Sequence, residues 1–512
     1  MTTSAENNKR IAKNTLLLYI RMFISIIVGL YTSRVVLAVL GVDDYGVYNV
    51  VGGIVAMFSF LNSAMTAASQ RFISYELGTK NFDKLKNIFS TSVEIHVVIA
   101  LIIWALAETV GLWFLNAKLN IPPDRMVAAN WVYQSAVFSF MLTVVSVPYN
   151  ASIVAHEHMK AYAYISILEI VLKLLIVFVL VAVAFDKLII YSILLFLVSL
   201  VIRITYGIYC RRNFVECSFH WVYNKKLFRE IFAFAGWSLV GNFGFVAKDQ
   251  GSNIILNLFY GTVLNAARGI ALQVNGIISS FSNNFIMAIN PQITKQYAAG
   301  NIIESVHLVY TGCRFSFFLL SIIAIPVLIN IDYLLILWLG ENVPPYAANF
   351  LFYALWSSII ASLSGPLVYA LQATGKVMIF QIVICLIMLC EIPLSYLILW
   401  LNYEPYYMMI AALLVTLVGL VARILILKQL VKEYSIRYFI FNIVGKNLLI
   451  VILSYVISKF IKDYFLDNVL NLISTSVLSV FVVVILLYLG GINKHERIFI
   501  NNKIKSVLKQ TK

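Results

Sequence analysis

Polar and charged side chains recur at helical spacing along an apolar segment near the middle of the chain. At about 100° per residue, they fall within roughly a third of a helix circumference. They are Asn265, Arg268, Asn275, Ser279, Ser282, Asn283 and Asn290. A guanidinium binds an oxyanion through two parallel hydrogen bonds, and amides and hydroxyls bind hydroxyl-rich molecules. Such a stripe is typical of a helix that lines a hydrated cavity, or of one that bonds to neighbouring helices.

Three further apolar segments carry comparable stripes. The preceding segment has Ser238, Asn242, Asp249, Asn253 and Asn257, with Lys248 beside the acid. Near the N-terminus, one segment has Arg21, Ser25, Gly29 and Thr32, and the next has Tyr48, Ser59, Asn62, Ser63, Thr66 and Gln70. Arg34 lies close to the outer end of the first of these segments, where it either snorkels to the interface or faces the cavity;. We therefore expect a central cavity, with ligand-binding candidates Arg21, Arg34, Lys248, Arg268, Asn62, Asn242, Asn275 and Asn283. Asp249, the one acid on these stripes, is the candidate for binding or releasing a coupling ion.

The remaining charges inside apolar segments have alternative interpretations. Lys248 and Asp249 could neutralise each other locally, although neighbours on a helix point about 100° apart. Arg203, Arg314 and Arg423 lie near predicted helix ends, where long side chains can snorkel to the interface. Glu169 and Glu391 occupy equivalent places in an internal repeat. They are either structural carboxylates or proton-coupling groups.

Neither a metal site nor a disulfide framework is indicated. The five cysteines show no CxxC spacing and no paired pattern;. In the sequence, no further potential metal ligands cluster near the His156-Glu157-His158 segment. A solvated loop is therefore the simpler interpretation. A nucleotide-binding Walker A motif is also absent from the sequence;. We expect no cofactor, no metal and no catalytic residues.

Composition places these stripes in a membrane. Of 512 residues, 61% are hydrophobic and only 12% are charged, and the mean hydropathy is +0.90. A soluble chain carries about 25% charged residues. A water-soluble enzyme is therefore excluded, and at about 20 apolar residues per span the chain can form about fourteen membrane helices. The net charge of +15 lies largely in short loops, which argues against a nucleic-acid partner.

The apolar segments and their flanking charges predict a topology. Spans are expected near 15–39, 46–70, 88–115, 128–154, 162–184, 188–210, 232–258, 264–290, 308–337, 346–372, 377–401, 405–427, 443–461 and 469–490. With the N-terminus in the cytoplasm, the predicted outer segments hold few basic residues, namely Lys118, Arg125, Lys187, Lys459 and Lys462. Most others lie inside, as the positive-inside rule requires. Both termini are expected in the cytoplasm, and the basic tail at 494–512 against anionic lipid.

The second half of the chain repeats features of the first at an offset of about 220 residues. Gln70, Tyr75 and Gly78 match Gln292, Tyr297 and Gly300, Pro148 and Ala155 match Pro366 and Ala373, and Glu169 matches Glu391. An even number of spans per repeat predicts parallel repeats around a central site. We predict an all-α polytopic protein with six-helix lobes at 1–215 and 216–436. Residues 437–512 add a helix pair and the basic tail.

Two segments carry a resemblance to a known family. Residues 33–41, which run into Asp44-Tyr-Gly-Val-Tyr-Asn-Val-Val-Gly-Gly53, and residues 265–274 resemble the multidrug/oligosaccharidyl-lipid/polysaccharide (MOP) exporter superfamily, in its bacterial polysaccharide (Wzx-type) flippase branch. The resemblance extends over the two repeats and the terminal pair. It implies alternating-access export of an undecaprenyl-pyrophosphate-linked oligosaccharide across the bacterial inner membrane, for O-antigen of lipopolysaccharide, capsule or exopolysaccharide.

Other functions are compatible with parts of this pattern. A lipid II flippase would share the fold, as would a drug/cation antiporter, although cationic substrates favour an acidic cavity. A membrane polysaccharide polymerase or ligase is expected to need a large outer loop, and the predicted loops are all short. The expected partners are the lipid-linked oligosaccharide, membrane lipids, and the polysaccharide polymerase and chain-length machinery that would receive the product.

Overall fold

The structure is a computed structural model that describes residues 4–56, 59–117, 121–222, 224–260, 262–340, 343–465, 468–492 and 497. Every regular element in these ranges is helical. The first helices are α1 (Ser4–Ala56), α2 (Ser59–Thr79), α3 (Phe82–Leu106), α4 (Leu112–Ala117), α5 (Met126–Ala155), α6 (Met159–Ala182) and α7 (Lys187–Asn213). A π-helical turn, Ala107–Gly111, joins α3 to α4.

The second repeat and the terminal pair are helical as well. The helices are α8 (Lys225–Tyr260), α9 (Thr262–Ala298), α10 (Ile302–Ile329), α11 (Ile331–Leu339), α12 (Ala347–Ala361), α13 (Ser364–Ala373), α14 (Val377–Leu389), α15 (Glu391–Trp400), α16 (Met408–Leu430), α17 (Ile436–Tyr438), α18 (Lys446–Lys462) and α19 (Val469–Leu486). Helix breaks near Ser362 and Cys390 divide two of the predicted spans. The polytopic helical architecture is confirmed.

Eleven helical segments are long and apolar enough to cross a membrane. They are Phe82–Ala117, Pro123–Ala155, Met159–Ala182, Lys187–Asn213, Lys225–Tyr260, Ile302–Ile329, Ala347–Ala373, Val377–Trp400, Pro405–Leu430, Ile436–Lys462 and Val469–Gly491. The three other predicted spans lie within α1, α2 and α9. The count of eleven covers only the part of the chain that the structure describes. The count of fourteen therefore stays a prediction.

Helix α1 continues through the predicted turn between the first two spans. Leu18, near its start, packs in one cluster with the end of α5. Asp44 instead binds Arg125 at the start of α5, and Met65 in α2 packs again near the end of α5. Along the chain, the contacts with α5 thus run from its C-terminal end to its N-terminal end and back to its C-terminal end. This order is what two antiparallel spans require.

The chain forms two compact units, and the first of them combines parts of both repeats. The first unit is Met1–Phe243, Met287–Asn301 and Gln372–Ile382. The second is Gly244–Ile286, Ile302–Leu371 and Val383–Lys512. In the first unit, the first repeat is thus joined by the predicted cytoplasmic ends of second-repeat helices. The predicted lobes at 1–215 and 216–436 are a sequence-based division that these units cross.

The glycines of α8 show how this helix packs. A Cβ at Gly244 would lie 2.8 Å from the Cα of Cys385, and a Cβ at Gly251 would lie 2.7 Å from Cδ1 of Ile392. Both contacts are within the second unit. At Gly236, a Cβ would meet nothing within 4 Å. Gly244 therefore permits close helix approach, as small residues commonly do in membranes, whereas Gly236 has no such packing requirement.

Arg125 joins three elements on the predicted outer side of the first unit. Its Nε donates to Asp44 Oδ1 at 2.7 Å, and its Nη1 donates to Asp186 Oδ2 at 2.7 Å. Asp186 also caps α7 by accepting from the backbone N–H groups of Leu188 and Ile189. Partial burial acts to raise the pKa of Asp186, but the hydrogen bonds from Arg125 and Ile189 outweigh it and lower the pKa.

Two alanine substitutions in α8 should have opposite effects on stability. Gly244→Ala places a methyl group against backbone, and overpacking of this kind destabilises by about 1–3 kcal/mol. Gly236→Ala replaces a weak helix former at a position where the added methyl group meets no other atom. It should stabilise the folded protein by up to about 1 kcal/mol. Thermal unfolding of both variants in the same detergent measures the difference. Equal shifts in melting temperature would contradict the packing role of Gly244.

Arg125→Gln should lower the melting temperature by roughly 2–4 °C, because two facing carboxylates lose their shared cation. A carboxyl with a lowered folded-state pKa stabilises the fold above its unfolded pKa, and this contribution is lost as the pH falls through the folded pKa. Wild type should therefore lose its advantage over Arg125→Gln below about pH 4. Melting curves between pH 7 and pH 3 test this. A melting-temperature difference between the two proteins that stays constant over this range would show that the contacts of Arg125 are not linked to pH.

Candidate functional site

A polar cavity of about 490 Å³ lies within the first unit, among helices of the first repeat. Small-ligand pockets usually have volumes of about 300–1,000 Å³. The lining residues come from five helices and are Arg21, Ser25, Thr66, Thr143, Ser146, Val147, Asn150, Tyr162, Ser166, Glu169, Ile170, Lys173, Ser199, Ile202 and Tyr206. Most are hydroxyl, amide or charged side chains, so the cavity suits a hydroxyl-rich ligand with charge.

Arg21 is held in this cavity by weak contacts. Its Cζ lies 5.0 Å from the ring centre of Tyr162, and its Nη1 donates a long hydrogen bond of 3.4 Å to Ser166 Oγ. Its buried Nε has no hydrogen-bond partner. A guanidinium with an unused donor can bind an incoming acceptor without first breaking a strong ion pair.

The other two charges in the cavity are paired. Lys173 Nζ lies 2.6 Å from Glu169 Oε1 one helical turn away, and both side chains are partly exposed. With this pair neutral, Arg21 leaves the lining with one net positive charge. Asn150 donates to the hydroxyl of Tyr206 at 3.1 Å, so this part of the wall is already ordered by hydrogen bonds.

Helical periodicity explains how these side chains converge. On α6, Tyr162, Ser166, Glu169 and Lys173 recur every three or four residues, which places them on one face;. The lining residues of α5 and α7 show the same spacing. Arg21, Ser25, Thr66 and Glu169 are among the residues named from the sequence, whereas the hydroxyl and amide residues of α5, α6 and α7 are not. Their periodic spacing within otherwise apolar helices was the signal that could have revealed them.

A second charged cluster lies within the second unit. Lys248 Nζ is 2.8 Å from Glu391 Oε2, and Ser252 Oγ donates to Glu391 Oε1 at 3.1 Å. Glu391 is at the start of α15 and is 2% exposed. Lys248 and Ser252 are one turn apart, so this face of α8 binds α15 through a buried, neutral pair. Glu391 thus joins α15 to α8 in this unit, and its role in proton coupling stays a prediction.

The adjacent face of α8 binds α9. Arg268 Nη2 lies 2.7 Å from Asp249 Oδ1, and Arg268 Nη1 also donates to Asn253 Oδ1. Arg268 is only 3% exposed. Asp249 and Asn253 are again one turn apart. Both polar faces of α8 therefore bond to neighbouring helices. The charges of Lys248, Asp249, Arg268 and Glu391 sum to zero.

Two sequence-based expectations are wrong. Lys248 and Asp249 do not neutralise each other, because each points to a different neighbouring helix. Arg314 and Arg423 do not snorkel, since they are only 5% and 9% exposed within the second unit. Arg203 is half-buried, with its guanidinium 4.1 Å from the ring centre of Tyr149.

The remaining predicted ligands are dispersed. Asn242 is half-buried in the first unit, whereas Asn275 is half-buried and Asn283 exposed in the second. Asn275 Oδ1 is buried without a hydrogen-bond partner. The side chains of Arg34 and Asn62 lie outside the described residues. Binding of a ligand by Asn242, Asn275 and Asn283 therefore stays a prediction.

The histidines of the loop between α5 and α6 have separate partners. His156 Nε2 lies 2.5 Å from Glu216 Oε1, and its ring stacks on Phe214 at 4.2 Å. The Nδ1 of His158 lies 3.0 Å from the hydroxyl of Tyr209. The loop thus holds the connector that follows α7, instead of presenting two convergent imidazoles.

One family matches part of the sequence. Residues 249–397 match the MatE family. This range contains Asp249, Arg268 and Glu391, three of the four charged residues by which α8 bonds to α9 and α15. Among curated proteins, no sequence matches the chain.

The fold is shared with solved transporters. A MATE protein in the bent conformation has 10% sequence identity and a TM-score of 0.71, covering 84% of this chain and 99% of the other. An outward-facing multidrug resistance MATE transporter has 13% identity and a TM-score of 0.67, covering 83% and 96%.

A third similar structure is a MOP superfamily transporter from Pyrococcus furiosus, described as having a binding pocket of reverse polarity that suggests a different function. It has 14% identity and a TM-score of 0.67, and covers 83% of this chain and 96% of the other. Together with the helical segments long enough to span a membrane, these similarities show that the chain is a multi-pass membrane protein with the MATE transporter fold and a MatE family segment at residues 249–397.

Proposed function

We propose that this protein exports an undecaprenyl-pyrophosphate-linked oligosaccharide across the bacterial inner membrane by alternating access. The polar cavity of the first unit would receive the pyrophosphate and the sugars nearest to it, while the polyprenyl chain stays in lipid. The observation that carries the proposal is Arg21, a cation with a spare buried donor in a cavity lined with hydroxyl and amide groups.

The chemistry of the lining supports an anionic, sugar-bearing ligand. A diphosphate needs a cation with several donors, and a guanidinium supplies them in a planar array. Ser146, Asn150 and Ser199 are suited to sugar hydroxyls because they both donate and accept hydrogen bonds;. Arg268 is a weaker candidate for the diphosphate, since its charge is balanced by Asp249.

A drug/cation antiporter is the second candidate. The specific observation in its favour is Glu169, a carboxylate in the cavity that could bind a cation if Lys173 turned away. The similarity to a multidrug resistance MATE transporter agrees with it at the level of fold. We favour the anionic substrate because the lining has two cations and one acid. Lipid II shares the diphosphate and would be recognised by the same groups.

Energy coupling is expected to involve Asp249, whose ion pair with Arg268 could open when an ion binds. Without a nucleotide site, the cycle must draw on an ion gradient, the membrane potential or removal of the product. One charge crossing 100 mV gains about 2.3 kcal/mol. A modest potential can therefore drive the change between two states of similar free energy.

Arg21→Ala should weaken binding of undecaprenyl diphosphate by about 10–100-fold, because a charge-assisted hydrogen bond contributes about 1.5–3 kcal/mol. Arg21→Lys should restore the affinity only in part, since a point charge lacks the planar fork. The measurement is a binding titration of the purified protein, followed by flipping of labelled lipid-linked oligosaccharide in vesicles.

Lys225→Ala is the matched control for Arg21→Ala, because it removes one exposed positive charge at the start of α8, outside the cavity lining. Its affinity should equal that of wild type. Unchanged affinity of Arg21→Ala would refute the assignment of the headgroup. Tight ethidium binding that is lost in Glu169→Gln would instead support the cation antiporter.

Asp249→Asn should abolish the dependence of transport on an imposed ion gradient. It also leaves Arg268 without its anionic partner, so a loss of melting temperature is expected from that cause alone. The double variant Asp249→Asn/Arg268→Gln restores neutrality and should recover stability. If the double variant also recovers gradient-dependent transport, Asp249 has only a structural role.

A further inference from the structure

Five tyrosines of the second unit contact one another on its predicted outer side. Two lie at the start of α12 and three lie between α15 and α16, and they are Tyr346, Tyr353, Tyr403, Tyr406 and Tyr407. The ring centre of Tyr406 lies 5.7 Å from that of Tyr346 and 6.0 Å from that of Tyr353. The ring centre of Tyr407 lies 4.6 Å from that of Tyr406 and 6.1 Å from that of Tyr403. We call these residues the tyrosine cluster.

The tyrosine cluster has an accessible aromatic face. Tyr403 is 56% exposed and Tyr346 is 37% exposed, whereas the other three rings are half-buried. The half-buried rings contact the exposed ones, so they limit the rotation of the exposed side chains. The exposed rings are therefore supported by their neighbours and are still accessible to a ligand.

The backbone that carries these rings is restricted as well. Tyr346 follows Pro344-Pro345 and has a left-handed φ of 63°, which is uncommon for a bulky residue. The hydroxyl of Tyr260, at the end of α8, donates to the carbonyl of Tyr403 at 3.3 Å. A surface that is already ordered loses little conformational entropy when a ligand binds.

Glu404 places one negative charge beside the rings. Its carboxylate accepts a hydrogen bond from the hydroxyl of Tyr346, which raises the pKa of that phenol. Glu404 is itself exposed, so its oxygens have further lone pairs for incoming hydroxyl groups;. Segments 343–353 and 401–407 contain neither lysine nor arginine. These segments therefore offer aromatic faces and an acceptor, but no cation for a phosphate.

We propose that the tyrosine cluster and Glu404 bind neutral sugar rings of the oligosaccharide once they reach the outer side. The face of an aromatic ring is negative, and the C–H groups on the face of a sugar ring carry small positive charges, so the two faces attract each other. The carboxylate accepts hydrogen bonds from sugar hydroxyls at the edge of the rings. The proposal rests on the proposed function, which supplies the sugars, and adds a second carbohydrate site to it.

The tyrosine cluster differs from an interfacial aromatic belt. Tyrosine and tryptophan in such belts lie at the level of the headgroups, where each ring needs only lipid and water around it. Here each ring contacts another ring, and an exposed carboxylate is hydrogen-bonded to one of them. An exposed acid is unfavourable beside anionic headgroups, whereas it suits a hydroxyl-rich ligand.

The test is a titration of the full-length protein in nanodiscs with maltopentaose and with chitopentaose, two soluble neutral sugars without lipid or diphosphate. Tyr403→Ala should weaken binding by about fivefold or more, because the most exposed stacking ring is lost. Tyr403→Phe keeps the ring and should bind within about twofold of wild type. Saturation-transfer NMR should show transfer to the C–H protons of the sugar in wild type and in Tyr403→Phe, and lose it in Tyr403→Ala.

Glu404→Gln tests the contribution of the charge. Wild type should bind pentagalacturonic acid about threefold or more weakly than the neutral sugars, because the carboxylates of this ligand meet that of Glu404. Glu404→Gln should remove this difference. An unchanged preference for neutral sugars in Glu404→Gln would overturn the role of Glu404 in binding.

Trp131→Ala is the matched control, because it removes a 50% exposed ring on the predicted outer side of the first unit. Its sugar affinity should equal that of wild type. Failure of both neutral sugars to bind, or binding that is unchanged in Tyr403→Ala, would overturn the proposal. Arg21→Ala should leave the affinity for these sugars unchanged while it weakens binding of undecaprenyl diphosphate. The sugar site and the proposed function can therefore fail separately.

Discussion

The requirement that a charge inside a membrane has a partner or water governs the arrangement of this protein. An uncompensated charge at mid-bilayer is unfavourable by about 2.5–3.5 kcal/mol on insertion scales. Lys248 meets Glu391, Arg268 meets Asp249, and Lys173 meets Glu169. The first two pairs set which faces of α8 meet α9 and α15. Arg21 is the exception in the first-unit cavity, where a ligand can supply the missing anion.

The helical architecture was predictable because apolar length is a local property of the chain. The sequence also identified Arg21, since a charge within an apolar segment is visible without knowledge of packing. The eleven segments that are long and apolar enough to cross a membrane confirm most of the predicted spans.

Which charged side chains form ion pairs was not predictable from which residues are neighbours in the sequence. Lys248 and Asp249 are neighbours in sequence, yet they bind different helices because they lie on different faces of α8. Arg423 was expected at the lipid interface because of its distance from a helix end. Its burial depends on how α16 packs within the second unit, and the local sequence does not encode that rotation. The cavity wall likewise needs five helices brought together.

The distance in sequence between Lys248 and its partner has a consequence for synthesis of the protein. The hydrogen-bonded residues Ser252 and Glu391 are 139 positions apart. At about 5–20 residues per second, α15 emerges roughly 7–28 s after α8. During that interval the ammonium group of Lys248 has no access to Glu391. The ion pair that joins α8 to α15 can therefore form only after α15 has been synthesised.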